Sequence, residues 1–167
     1  MTLKNILVAT DFSEPARVAL EHGKDLARSS GATLHVLHVI QEIPTYYGSE
    51  VGFAATQIEE SIQSAAQGEL DRTLGAKESG LAVKTATVRA PNVAHAVNEY
   101  AAAHNVDLII VGTHGRGAIS RFLIGSVAER LVRSATRPVL TVHAGESGFA
   151  SQSDRTEPDR NTITGIS

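Results

Sequence analysis

Cysteine is absent from this chain, and with it go disulfide staples, thiol nucleophiles and thiolate metal sites; the redox compartment is left open. Aromatic residues make up only 4% of the sequence, tryptophan is missing and the formal charge is -3. Neither the basic footprint nor the base-stacking platform of a nucleic-acid binder is therefore available. No apolar run reaches the roughly 20 residues needed to cross a bilayer. The apolar part of the opening MTLKNILVATD is too short for a secretory leader and runs at once into an acid and a helix start. These absences set the expectation of a cytoplasmic protein with no nucleic-acid or membrane partner. A Walker loop, Gly-x4-Gly-Lys-[Ser/Thr], is also missing.

What is present is a regular alternation of short apolar runs and amphipathic stretches. Residues 5–10, 33–40, 81–88, 107–111 and 138–142 are apolar or β-branched and bounded by turn residues, as expected of buried strands. Between the first two, Ser13 is a candidate N-cap and Pro15 fits a first turn. Ala16, Ala19, Leu20, Gly23, Leu26 and Ala27 then recur at helical spacing up to the stop signal Ser30-Gly31. Ile58, Ile62, Ala66, Leu70 and Leu74 repeat every fourth residue and predict a long helix weakened at Gly68. Pro91 is expected to open a third helix, and Val127, Ala128, Leu131, Val132 and Ala135 form the last.

Strands alternating with helices imply a three-layer α/β/α domain with a five-stranded parallel sheet and right-handed crossovers. Residues 1–144 are read as that one domain. Residues 145–167 are polar, lack periodicity and read as a disordered tail. In such folds ligands bind beyond the carboxyl ends of the strands, where Asp11 and Gly112 both fall.

The stretch VGTHGRGAISRFLIGSVAERL, residues 111–131, organises the rest. Gly112, Gly115 and Gly117 follow an apolar strand, and Gly125-Ser126 opens an amphipathic helix. Glycines permit positive φ and close backbone approach, while loop amides and the helix N-terminus make an anion cradle. Ser126 with Glu129 also reads as a Ser-x-x-Glu capping box, and the two readings are compatible.

The spacing Gly112-x2-Gly115-x9-Gly125-Ser126 resembles the nucleotide-binding loop of the universal stress protein family, and the resemblance runs from Leu3 to about His143. It implies strand order 3-2-1-4-5, as in adenine nucleotide alpha hydrolase-like folds, and an ATP, ADP or AMP ligand with Mg²⁺ entering through the phosphates. The residues it places around the nucleotide are Ala9, Thr10, Asp11, Val39, Gly112, His114, Gly115, Arg116, Gly117, Gly125, Ser126 and Val127. Asp11 would accept from ribose hydroxyls or help hold Mg²⁺, or else be a solvated turn aspartate. Arg116 would pair with phosphate or stay solvated. Backbone near Val39 would face the adenine.

The resemblance further implies a homodimer through the fifth strand, Val139 to Val142, and an unidentified regulatory protein partner. Ala90 departs from the family's usual glycine before the proline. His114 lacks a Cys or acid at metal-ligand spacing, and the odd spacing of His35 and His38 sends them to opposite faces of a strand. Three functions compete: an ATP-binding sensor with at most slow hydrolysis, a slow ATPase or nucleotidyl-transfer enzyme, and a dimeric interaction module.

Overall fold

Five strands and four helices alternate along the chain: β1 (Asn5–Thr10), α1 (Glu14–Ser30), β2 (Thr33–Gln41), α2 (Gly52–Leu74), β3 (Val83–Ala90), α3 (Val93–Ala103), β4 (Leu108–Gly112), α4 (Ser126–Ser134) and β5 (Val139–Val142). They belong to a computed structural model that describes residues 2–42, 52–74, 80–113 and 125–143. The proposed tail lies outside the described residues. All strand pairs are parallel and the order is β3-β2-β1-β4-β5, as the family resemblance implies.

Consecutive residues of a strand face opposite sides of a sheet. Leu7, Ala9, Leu37, Val39, Ile109 and Val111 accordingly pack against α3 and α4, through Ala94, Val97, Ala128 and Leu131. Ile6, Val8, Leu34, Val36 and Ile110 pack on the other side against Ala19, Leu20 and Ala27 of α1 and Leu70 of α2. With helices on both faces, the central strands are apolar throughout, which is why they read as unbroken runs.

Helix α1 lies unusually close to the sheet. A Cβ built on Gly23 would stand 2.5 Å from Val8 Cγ2, so the glycine in the apolar stripe is a packing requirement. The helix ends at Gly31, which takes the left-handed conformation at φ 69° and returns its amide to Ala27 O.

Three local expectations need correcting. Pro91 does not open α3: Asn92 is the cap, its Oδ1 accepting the His95 amide at 3.1 Å, and Pro91 precedes it. The third strand lies about two residues later than its apolar pattern suggests. Ala90, the departure from the family pattern, is its last residue, and its carbonyl accepts the Glu42 amide at 3.0 Å. In α2, Ala66 and Leu70 are buried but Ile58 and Ile62 remain 58% and 43% exposed, so the fourfold repeat overstates the buried stripe. Gly68 sits inside this helix with nothing within 4 Å of a built Cβ. Gly68→Ala is expected to raise stability by about 0.5–1 kcal/mol, visible as a higher thermal midpoint; an unchanged or lower midpoint would sink this account.

At the amino ends of the strands Asp107 Oδ2 accepts the amides of Asn5 (2.9 Å) and Lys4 (2.7 Å). These bonds, Asn5's foremost, hold its carboxyl below the usual range and fasten the start of β1 to that of β4. Nearby, His35 is buried. Asn5 donates its side-chain amide to Asn105 O (3.3 Å) and so presents Oδ1 to His35 Nε2 (3.4 Å). Nε2 is thus the protonated nitrogen, and Nδ1 accepts from the Tyr100 hydroxyl at 3.1 Å. His104 stacks on Tyr100 with centroids 3.9 Å apart.

Burial, then the Lys84 and His104 charges, push the His35 pKa below 6.5, so the folded state holds the neutral ring. On acidification the unfolded chain takes up the proton first. Stability is full above about pH 6.5 and declines as pH falls from there toward the folded value. Urea midpoints should drop between about pH 7.5 and about pH 5, and His35→Gln should remove part of that drop. An identical slope in the variant would exclude His35 as a source.

Candidate functional site

At the carboxyl edge of the sheet the strands end unevenly. β1 pairs with β2 only as far as Thr10 with His38, whereas β2 runs on to Gln41 beside β3 alone. The step leaves a cleft of about 260 Å³ among the described residues, bordered by β1, β2 and β4 and by the first turns of α1, α3 and α4. It lies at the point where strand order reverses.

From β1 come Ala9, Thr10 and Asp11. Asp11 Oδ1 accepts both the amide (3.0 Å) and the hydroxyl (2.5 Å) of Ser13, closing the turn into α1. Phe12 between them is left-handed at φ 65°, an outlier for a bulky residue. Its amide donates to Thr10 Oγ1 (3.1 Å) and its ring lies 4.5 Å from that of His38, whose Nδ1 donates to Thr10 O (2.8 Å). His38 therefore faces α1 while His35 faces α3, as their odd spacing requires. Ser13 is the N-cap by position, although its hydroxyl serves Asp11 and caps nothing.

From β4 and α4 come Gly112, Gly125, Ser126 and Val127. Here the capping-box expectation is overturned. Gly125 is the N-cap and Ser126 the first helical residue, so its hydroxyl cannot reach the amides of its own first turn in cap fashion. Glu129 pairs instead with Arg133, at 3.0 Å. The amides of Ser126, Val127 and Ala128 precede the first intrahelical bond, from Glu129 N to Gly125 O at 2.9 Å, and form the free positive end of α4. The Gly125 amide is not part of that set, because it donates to Thr113 O.

Nor do the glycines here use positive φ: Gly125 stands at -57°, and the left-handed glycines among the described residues are Gly31 and Gly80. Gly112 is required for another reason. A Cβ there would meet the Pro15 carbonyl carbon at 2.7 Å and its oxygen at 2.9 Å.

The third wall is β2. Thr33 N bonds Lys4 O of the β1 side and Leu34 N bonds Ala82 O of the β3 side, so odd-numbered residues direct their amide and carbonyl toward β1. Past the end of β1, the Val39 carbonyl and Gln41 amide point into the step. Leu37, Val39, Val93 and Val111 supply apolar walls beside them.

Eight of the twelve expected site residues thus line one cleft: Ala9, Thr10, Asp11, Val39, Gly112, Gly125, Ser126 and Val127. His114, Gly115, Arg116 and Gly117 lie outside the described residues. Sequence reading missed Leu37 and Gln41, although the period of two around Val39 could have found both, and it missed Val93, which owes its place to the corrected start of α3. The cleft joins a narrow apolar slot, a backbone donor–acceptor pair, a carboxylate and an amide-lined helix end. Such a site suits a ligand with a flat heteroaromatic part and an anionic part.

The fold is thus a doubly wound parallel α/β domain with a cleft at its switch point. Residues 2–143 match the model of the universal stress protein family, and the chain belongs to that family. Universal stress protein A homolog 1 of Coxiella burnetii is 35% identical over 152 residues, covering 85% of this chain and 97% of its own length. The solved structure of MJ0577 shares 28% identity and a TM-score of 0.71, over 86% of this chain and 97% of that one. A universal stress protein crystallised in complex with cAMP has the same fold, with a TM-score of 0.56 at 24% identity over 86% and 99% of the two chains. No helix among the described residues is long and apolar enough to cross a membrane.

Proposed function

We propose that this protein binds ATP, or its diphosphate and monophosphate, as a cytoplasmic stress-response sensor or regulator with at most slow hydrolysis. The observation that carries this reading is the cleft itself. The unpaired Val39 carbonyl and Gln41 amide stand across it from the free amides of Ser126, Val127 and Ala128. An adenine edge offers an amino donor beside a ring acceptor and matches that carbonyl–amide pair. Guanine offers the reverse and would leave two buried groups opposed. The amides at the start of α4 suit phosphate, which also brings any Mg²⁺, and Asp11 is the carboxylate beside the ribose. The cAMP-bound protein shows that this fold can hold an adenine nucleotide.

Fast hydrolysis finds little support. Asp11 is the one carboxylate among the described cleft residues, and its Oδ1 is committed to Ser13. Calorimetry with ATP, GTP and adenosine tests the reading: ATP should bind and GTP should bind at least tenfold more weakly, about 1.4 kcal/mol. Equal affinity for both, or no heat with ATP, would defeat it. Turnover above about 1 s⁻¹ would favour the enzyme.

The partner surface in this reading is β5, which among the described residues pairs with β4 alone and carries Leu140, 38% exposed. An apolar strand edge invites pairing with a second copy. Light scattering should report a dimer at micromolar concentration, and Leu140→Lys should yield monomers; a wild-type monomer would count against the interface.

A further inference from the structure

Thr113 is bonded through its amide, carbonyl and hydroxyl next to the cleft, yet it does not line it. It is buried, 6% exposed, directly after β4. Its amide donates to Val142 O at 2.8 Å, its carbonyl accepts the Gly125 amide, and its hydroxyl lies 2.6 Å from His143 Nδ1. One residue therefore joins the exit of β4, the end of β5 and the N-cap of α4. The amides assigned to phosphate begin at the residue after Gly125, so the orientation of that peptide sets where they aim.

We propose that Thr113 is a positioning residue that sets the anion-binding end of α4 from the end of β5, with its side-chain bond to His143 as the tie. This rests on the nucleotide-binding reading for its ligand, and not for its geometry. Thr113 does not line the cleft; it reaches the site through the Gly125 amide that its carbonyl accepts. A Val142 or His143 displaced by a partner along the β5 edge would move the same tie, so occupancy of the cleft and the state of that edge are coupled and, by linkage, coupled reciprocally.

The test uses the full chain with Thr113→Val, which keeps the shape and loses the hydroxyl, and Thr113→Ser, which restores it. Two readouts are needed. Amide exchange without ligand should show Gly125 exchanging at least several-fold faster in Thr113→Val and near wild type in Thr113→Ser. Calorimetry should show ATP affinity reduced several-fold in Thr113→Val with adenosine affinity unchanged, since only the phosphate end is misplaced. His143→Ala should reproduce both effects, and the double variant should be no worse than either single one, because both remove the same bond.

Unchanged exchange at Gly125 would overturn the proposal whatever the ligand. An equal loss for ATP and adenosine, or additive effects in the double variant, would reduce Thr113 to general packing and likewise overturn it. Wild-type protein that binds no ATP while exchange responds as described would defeat the nucleotide reading and leave the Thr113 tie standing.

Discussion

Gly112→Ala is expected to destabilise the domain by about 1–3 kcal/mol, the usual range for forcing extra volume into a packed interior. The added Cβ would stand 2.7 Å from the Pro15 carbonyl carbon and 2.9 Å from its oxygen and Cβ. These are mainly backbone atoms of the first turn of α1, and they cannot rotate away as a side chain end can. The turn is fastened on one side by the Ser13 bonds to Asp11 and on the other by the buried Ala16 and Ala19. At roughly 3 °C per kcal/mol for a chain of this size, the thermal midpoint should fall by about 3–9 °C. Gly68→Ala, the same chemical change in open space, should move it the opposite way. A Gly112→Ala variant melting with wild type would mean that α1 yields at no cost, and the packing argument would fail.

Ser126→Pro should weaken ATP about 10- to 100-fold while leaving the fold intact. Proline is tolerated at the first position of a helix because its missing amide has no intrahelical acceptor there. It asks the preceding residue for extended backbone, and Gly125 already has φ -57° and ψ 145°. The substitution therefore removes an amide and a hydroxyl aimed at the proposed phosphate without disturbing α4. Hydrogen bonds to charged groups are worth about 1.5–3 kcal/mol, which sets the expected range. Adenosine should bind as before, and the helical circular dichroism should not change. ATP affinity equal to wild type in the folded variant would place the phosphate elsewhere.

The architecture was legible because the central strands are buried on both faces: β1 and β4 spell their positions as apolar runs, and Gly31 marks a helix end by itself. Periodicity does not say which partner an apolar face meets. Ile58 and Ile62 share a period with Ala66 and Leu70, yet they stay exposed while the other two are buried. Nor could local pattern reveal that Gly112 is dictated by Pro15, far away in sequence, or that Ser126 lies one position inside its helix. The cleft was found through the glycine spacing, although the reason first given for the glycines, positive φ, does not hold at Gly112 or Gly125. Gln41 escaped because its contribution is a backbone amide, which no residue type announces.

The uneven ending of β1 and β2 has a consequence for water. An amide and a carbonyl turned into a cleft cannot remain dry, so in the empty protein the Gln41 N–H and Val39 C=O must be hydrated. A base that replaces this water exchanges one set of hydrogen bonds for another and gains little free energy from them. Affinity must then come from the apolar walls and the phosphate end. The strand overhang contributes mainly by exclusion: a base with the wrong edge displaces the same water and returns nothing for it.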